Sequence, residues 1–331
     1  MLHSRCFIIT KKLNNSQTKK KIKGVCISSR EKSEFILVKN LIAEIDPAIH
    51  CIHFDEIIHS PHLLKDEVDF ILTIGGDGSI VWLIGAYYKA FDTIDGIKPI
   101  VPVVRPESVG YLKQLDLEPE KFKEGFKRLI RGDFEVIQRT VLEINIDNKK
   151  TISVNEVLLN CNPHLGKFTI SIENGKGITE IIAEILADGA MLVTSIGSTA
   201  WSLSYGGLLN IDEETLELIF IGATHGGANY IIPKKGIIYM DLELKNPVVT
   251  KDTVFAYNQA RHENNLPPDP HSRETLGIVY SSQVICDGKV IDFGSKRVVI
   301  NPNCSIPFVI IKDHSVYEKA RKYTKNTEAL W

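Results

Sequence analysis

A short strand, a glycine-rich turn and a helix follow one another between residues 68 and 86, and this βα unit restricts the fold more than any other stretch. Val68-Asp69-Phe70-Ile71-Leu72 is mostly apolar, Thr73-Ile74-Gly75-Gly76-Asp77-Gly78-Ser79 is the turn, and Ile80-Val81-Trp82-Leu83-Ile84-Gly85-Ala86 reads as the start of a helix. Glycine tolerates positive φ and lets the backbone come close to an anion. The first turn of a helix offers unpaired N–H groups to negative charge. The order is that of a phosphate site. Asp77 is its odd member, because phosphates repel a carboxylate. It reads either as a tight-turn Asp bonded to its own backbone or as a carboxylate that holds a metal or accepts a proton.

The surrounding pattern repeats the unit. Strands at 25–28, 49–54, 68–74 and 99–104 alternate with helical patterns. One helix, at 31–45, carries Phe35, Val38, Leu41, Ile42 and Ile45 at helical spacing. Another, at 120–131, turns Phe122, Phe126, Leu129 and Ile130 inward and closes at Gly132. Strands alternating with helices predict an α/β N-terminal domain with a parallel, doubly wound sheet. Ligands in such sheets bind at the carboxyl ends of the strands. Asp77 lies there, and so does Arg105-Pro106-Glu107-Ser108-Val109-Gly110-Tyr111.

From Phe134 the texture changes to short strands and turns, at 139–146, 151–159, 168–173, 180–186, 191–194, 236–244, 253–257, 277–286, 289–291 and 297–300. This predicts an all-β C-terminal domain. The boundary falls near 134, giving domains over 1–134 and 135–310. Residues 259–274, with three prolines, read as a polar surface loop. The tail, 311–331, is helical and partly apolar, and is expected to pack back on the first domain.

Composition excludes some partners. A net charge of −2 creates no global field for nucleic acid or an anionic membrane. No apolar run approaches the roughly 20 residues of a membrane helix. Six scattered cysteines without a C-x-x-C pair argue against a zinc site or disulfide framework and point to a reducing, cytoplasmic setting. The first 30 residues are basic and lack acids, the flavour of an organelle transit peptide. Cys6-Phe7-Ile8-Ile9 and Gly24-Val25-Cys26-Ile27 nevertheless read as strands around a Lys-rich loop, and organellar targeting stays open. Neither a P-loop nor a G-x-G-x-x-G fingerprint occurs.

A second constellation interrupts the β texture. Gly197-Ser198-Thr199-Ala200 opens a short helix and reads as another anion nest, with backbone N–H groups and hydroxyls as donors. Trp201 and Ser204 lie one turn apart, a pairing suited to a heterocycle and its sugar, or to a capped helix with a core tryptophan. Asn155-Glu156 follows a strand, and Asp188 sits in an Asp-Gly turn. Alone, these read as solvated groups.

Together these pieces resemble the NAD kinase family, which phosphorylates the 2′-hydroxyl of the adenosine ribose of NAD. They occur in the family's order: Gly75-Gly76-Asp77-Gly78, Val109-Gly110-Tyr111-Leu112, Arg139 with Leu142, Asn155-Glu156-Val157-Leu158-Leu159, Asp188-Gly189, Gly197-Ser198-Thr199-Ala200-Trp201-Ser202-Leu203-Ser204 with Gly206-Gly207, and Cys286-Asp287-Gly288. The resemblance runs from about residue 68 to 331. The glycine turn alone is shared with diacylglycerol and sphingosine kinases and phosphofructokinases; the Gly-Ser-Thr-Ala-aromatic-Ser segment with Asn-Glu is far more specific.

The resemblance implies a nucleotide-binding first domain, a dinucleotide-binding β domain and an active site in the cleft between them. It implies Asp77 as general base, and Gly75, Gly76, Gly78, Gly197, Ser198 and Thr199 around phosphate. Tyr111, Asn155, Glu156, Asp188, Ala200, Trp201 and Ser204 would line NAD. ATP would be the donor, with Mg²⁺ or another divalent cation and no metal ligand assigned to a side chain. A homo-oligomer, dimer or tetramer, is implied as well. The chain departs from the family at Thr194-Ser195-Ile196, where Thr-Pro-Thr is usual, and at Arg105-Pro106-Glu107-Ser108, which replaces Asn-x-Gly. It also lacks Arg-Pro within 224–233, and Lys289 replaces glutamine. Two other readings stay open: a lipid kinase of the same superfamily, and an NAD(P)-binding sensor without turnover.

Overall fold

A computed structural model describes residues 22–106, 108, 110–162, 165–210, 212–224, 229–244, 263 and 281–311. The strand expected at 6–9, the strand at 253–257 and almost all of the 259–274 loop and 311–331 tail lie outside these residues.

The N-terminal part runs β1 (Gly24–Ser28), α1 (Lys32–Ile45), β2 (His50–His53), α2 (Phe54–His59), α3 (His62–Asp66), β3 (Phe70–Ile74), α4 (Asp77–Phe91), β4 (Ile100–Val104), β5 (Leu115–Asp116) and α5 (Pro119–Arg131). The strands are parallel in the order β2-β1-β3-β4, with β5 beside β4. Every residue of β1, β3 and β4 is buried. That is why they read as unbroken apolar runs rather than alternating ones: helices cover both faces. On one face Val38, Leu41 and Ile42 of α1 and Phe122, Phe126 and Leu129 of α5 share a core with Ile27, Leu72 and Val103. On the other, Phe54 and Ile57 of α2 and Ile80, Leu83 and Ile84 of α4 share one with Cys26, Ile71 and Ile100. The short helices α2 and α3 were not expected. His53 caps α2 by accepting from Asp55 N–H while Glu56 accepts from His53 N–H, a reciprocal arrangement that stabilises a helix too short to show periodicity.

The C-terminal part runs β6 (Phe134–Ile146), β7 (Lys149–Ser153), β8 (Glu156–Asn162), β9 (Gly166–Glu173), β10 (Thr179–Ala187), β11 (Gly189–Val193), two 3-10 turns (Gly197–Thr199 and Trp201–Tyr205), β12 (Thr215–Ile221), β13 (Tyr230–Pro233), β14 (Ile237–Leu244), β15 (Ser281–Cys286), β16 (Lys289–Phe293) and β17 (Arg297–Ile311). An antiparallel six-stranded sheet in the order β13-β12-β11-β8-β15-β16 faces β9, β14 and the first part of β17 across a core that includes Phe168, Ile170, Leu192, Leu218, Met240 and Val298.

The two parts share one continuous sheet. β17 pairs with β14 through Arg297–Ile300, and its Phe308 pairs in parallel with Ile100 of β4. β6 runs antiparallel along almost the whole of β17. The sequence suggested a strand only at 297–300, whereas β17 runs on past Pro302 and Pro307. The register shifts between Asn301 and Cys304, and a bulge is where a strand tolerates a residue without an N–H. The strand expected at 151–159 splits at Val154-Asn155, where the chain leaves one sheet for the other.

Candidate active site

The glycine turn sits at the carboxyl end of β3. Gly75 has φ +142°, and an added Cβ would come within 2.9 Å of the Ser79 Cβ, so the position favours glycine. Its N–H donates to Val103 O at 2.9 Å, tying the turn to β4. Gly76 caps α4, which starts at Asp77, three residues before the apolar run that signalled it. The Ser79 hydroxyl donates to Gly76 O at 2.7 Å.

Asp77 is not a turn residue bonded only to its own neighbourhood. Its Oδ2 accepts from Tyr111 N–H at 2.9 Å and its Oδ1 from Leu112 N–H at 3.2 Å. The half-buried carboxylate is thus held from across the carboxyl end of the sheet, with its plane set by two donors. Gly110 lies beside it; a Cβ there would stand 3.5 Å from Asp77 Oδ1 and 3.0 Å from Val104 Cγ2. Tyr111 is buried. Arg105 makes a two-pronged bond to Glu34 of α1, Nε to Oε1 at 2.5 Å and a terminal nitrogen to Oε2 at 3.0 Å.

The second half of the site is a backbone corner built around Asp287, which lies between β15 and β16 at φ +49°. Its carboxylate accepts from Asn155 N–H at 2.7 Å, from Val154 N–H at 3.0 Å and from the Ser153 hydroxyl at 2.8 Å. These bonds turn the chain between β7 and β8. The Asn155 carbonyl accepts from Thr194 N–H at 2.9 Å, and the Thr194 hydroxyl donates to Val154 O at 2.6 Å. Gly197 passes so close that a Cβ would overlap the Asn155 carbonyl. A third tie comes from Glu213, which accepts from Arg139 Nη1 at 2.6 Å, Thr140 N–H at 2.8 Å and the Ser195 hydroxyl at 2.5 Å.

The anion nest expected at 197–200 is largely closed in this structure. Gly197 N–H donates to Thr194 Oγ1 at 3.1 Å, Ser198 N–H to Thr194 O at 3.1 Å and Ala200 N–H to Gly197 O at 2.8 Å. The buried Ser198 hydroxyl is shared between Ser195 O and Asn210 O, and the Thr199 hydroxyl faces Ile196 O at 3.3 Å. Gly197 and Ser198 hold the corner together. The short helix expected to open here is a pair of 3-10 turns, and the tertiary contact that requires the glycine is internal.

Ile196 explains how the halves meet. It is buried in one cluster with Ile80 of α4, Leu112 and Val154. Each has a site residue nearby in the chain: Asp77 one turn before Ile80, Tyr111 before Leu112, Asn155 after Val154. An isoleucine where a hydroxyl residue was the family's habit thus serves as an apolar joint.

Trp201 packs on the sheet with part of its ring left open. It is half-buried against Leu158, Met191, Val193 and Ile219, and its ring lies 5.6 Å from that of exposed Tyr205. Ser204 is exposed, with its hydroxyl on Trp201 O at 2.6 Å. Asp188 is not brought to the corner. It is exposed and precedes β11, whereas Thr194 follows that strand, which puts them roughly 20 Å apart at strand rise.

No protein-family model matches the chain. Individual proteins do. The NAD kinase of Chloroherpeton thalassium is 24% identical over 250 residues, 71% of this chain and 81% of that protein. That of Fusobacterium nucleatum is 26% identical over 220 residues, 64% and 76%. That of Methanothermobacter thermautotrophicus is 30% identical over 141 residues, 43% of this chain, and the match spans about half of that relative, 46% of its length. The fold agrees with an Archaeoglobus fulgidus NAD kinase solved in complex with ATP, at TM-score 0.60 and 17% identity over 90% of this chain and 98% of that one. It also agrees with yeast NADH kinase complexed with NADH, at TM-score 0.62 and 18% identity over 91% and 86%. In sequence the chain is similar to NAD kinases, and its fold is theirs.

Within this NAD kinase fold, the electrostatics centre on Glu156. It is 2% exposed, and its Oε2 has no hydrogen-bond partner among the described residues. Burial first, and the Asp287 charge second, push its pKa up from 4.5 to about 8. Burial also raises Asp287, against the pull of its N–H and O–H donors. The folded chain therefore holds a proton on Glu156 that the unfolded chain releases near pH 4.5, and stability falls as pH rises between about 4.5 and 8. A Glu156→Gln variant should lose that part of the slope and gain relative to the parent by pH 8.5. The upper limit is roughly 3–5 kcal/mol for such a shift. Urea unfolding at pH 5.5 and 8.5 measures it, and equal slopes for the two proteins would contradict the assignment.

Three carboxylates at or near the site carried no role in the sequence reading: Glu34, Glu213 and Glu217. Glu217 left a signal. It interrupts the apolar strand Leu216-Glu217-Leu218-Ile219-Phe220 and is fully buried there.

Proposed function

We propose that the protein phosphorylates the 2′-hydroxyl of the adenosine ribose of NAD to give NADP, with ATP as donor. The observation that carries this reading is the Asp77 carboxylate, held by Tyr111 and Leu112 N–H at the start of α4. Phosphoryl transfer needs positioning and charge neutralisation more than covalent catalysis. A ribose hydroxyl releases its proton only as the new bond forms, and a carboxylate whose two oxygens are already oriented accepts it without first reorganising. Asn155, Glu156, Trp201 and Ser204 would line the dinucleotide, and the turn 75–78 would face phosphate.

The divalent cation belongs to the donor in this reading. Among the described residues no group of three or more His, Cys, Asp or Glu side chains could hold a metal. Mg²⁺ would arrive on the triphosphate and neutralise its charge.

Gly78 supplies a test that separates ligand from fold. A Cβ there would meet nothing within 4 Å, so the chain itself does not require glycine. Gly78→Ala should leave the melting temperature equal or slightly higher, because alanine favours a helix by about 0.5–1 kcal/mol. The apparent KM for ATP should rise about tenfold or more as the methyl stands between backbone and phosphate. An unchanged KM would remove Gly78 from the phosphate site.

The reaction itself is tested by incubating the protein with Mg²⁺, one of ATP or polyphosphate as donor, and one of NAD, NADH or diacylglycerol as acceptor. NADP formation supports the proposal and ranks donors. Phosphatidic acid would instead identify a lipid kinase, and NAD binding without product under any donor would identify a sensor. A dimer or tetramer is proposed with the activity and is read by sedimentation.

A further inference from the structure

Val193 lies in register between two buried carboxylates: it pairs with Glu156 of β8 on one side and Glu217 of β12 on the other. Glu217 therefore belongs to the sheet face that carries Leu158, Met191 and Ile219, the face against which Trp201 packs. Glu217 is fully buried, and only one of its oxygens has a hydrogen-bond partner among the described residues. Oε1 accepts from Leu208 N–H at 2.7 Å and from Asn229 Nδ2 at 3.2 Å. The same Asn229 amide donates to Gly206 O at 3.0 Å. Both ends of the Gly206–Leu208 turn are thus held to the sheet by one carboxylate and one amide. That turn closes the 3-10 segment Trp201–Tyr205, whose last carbonyls it satisfies through Gly206 N–H to Leu203 O and Gly207 N–H to Ser202 O. Gly207 itself has no room to move inward, since a Cβ there would stand 2.8 Å from Ser202 O and 3.1 Å from Ile219 Cδ1.

A buried carboxylate with a spare oxygen is an expensive way to hold a turn; an apolar side chain at 217 would pack without that cost. What the carboxylate adds is direction. It accepts from two donors that converge from the chain after Trp201, and so selects one placement of the segment on the sheet. We propose that Glu217, through Asn229 and Leu208 N–H, is a positioning residue for the Trp201–Ser204 wall, and that it sets affinity for the dinucleotide rather than the rate of phosphoryl transfer. This rests on the reading of Trp201 and Ser204 as lining the NAD site. The latch itself does not depend on that reading, because its geometry is internal to the chain.

The test uses the full chain with Asn229→Ala, Glu217→Ala and Glu217→Gln. Asn229 is only half-buried, so its truncation leaves the fold standing if Glu217→Ala does not. Asn229→Ala and Glu217→Ala should raise KM for NAD about tenfold, the scale of one or two lost hydrogen bonds, with kcat within about twofold of the parent. Glu217→Gln keeps an acceptor oxygen for Leu208 N–H and should restore KM to within about threefold. Trp201 emission, obtained as the difference from a matched Trp201→Phe protein, should shift to the red in Asn229→Ala and stay in place in Glu217→Gln. Folded Asn229→Ala with unchanged KM and unchanged emission overturns the proposal. So does a fall in kcat at constant KM. If the parent forms no NADP, the proposed activity has failed, and the latch stands or falls on Trp201 emission alone.

Discussion

Replacing Asp77 with Asn is expected to lower kcat for NADP formation by about 10²–10⁴, the usual contribution of a positioned general base, while calorimetry still detects NAD. The size of the loss follows from where the carboxylate is held. Both oxygens already accept a backbone N–H, from Tyr111 and Leu112, so the group is oriented before substrate arrives. Asn keeps one acceptor oxygen and turns its NH₂ toward the other N–H. One donor then faces another, and the amide has no basicity for a proton. Both effects act on the acceptor hydroxyl and not on the proposed dinucleotide wall at 201–204, so KM for NAD should change far less than kcat. A variant with near-full turnover would remove Asp77 from the chemistry and leave it as a tie between α4 and the 110–112 segment.

The largest expected effect on stability is at Asp287. Asp287→Ala strips an acceptor from Ser153 Oγ, Val154 N–H and Asn155 N–H at once. An unsatisfied buried donor costs about 1–3 kcal/mol. The Ser153 hydroxyl keeps Glu156 O at 2.7 Å as an acceptor, so the Val154 and Asn155 N–H groups are the two donors left. Together they exceed what is returned by relieving the repulsion between Asp287 and Glu156, which is secondary to burial in raising the Glu156 pKa. A net loss of about 2–4 kcal/mol is expected in urea unfolding. The corner that carries Asn155 should lose its shape, so affinity for NAD should fall even where the variant is folded. Asp287→Asn keeps one acceptor oxygen and should be intermediate. An unfolding midpoint unchanged in Asp287→Ala would show that the turn between β7 and β8 is made by the strands alone.

The legible parts of this protein are those whose cause lies within a few residues. The unbroken apolar runs of β1, β3 and β4, the helical spacing in α1 and α5, and Gly75-Gly76-Asp77-Gly78 before a helix were readable because burial and dihedral preference act locally. Elements whose cause lies far along the chain were not. β17 continues through Pro302 because β6 supplies a partner along nearly its whole length. The expected strand at 151–159 breaks because Asp287, more than 130 residues away, takes the Val154 and Asn155 N–H groups. The 197–200 turn reads as an anion nest until its N–H groups are traced to Thr194 and Gly197. Glu217 interrupts an apolar run, yet neither its strand nor its role was read from the sequence, and its partners Leu208 and Asn229 are known only once β12 and β13 pair.

The amino-acid sequence by itself determined the kind of chemistry: a glycine turn carrying one carboxylate, a Gly-Ser-Thr-Ala segment with an aromatic, and Asn-Glu after a strand, in an order that matches one family. Residue type and short spacing suffice for that, because they set which groups can donate, accept or come close to an anion. Only the tertiary structure decided that Asp77 is held by Tyr111 and Leu112, that Ile196 joins the two halves, and that Asp188 lies roughly a strand's length from the corner. Those outcomes depend on which surfaces pack together over separations of 30 to 130 residues, and no local preference encodes a contact of that range.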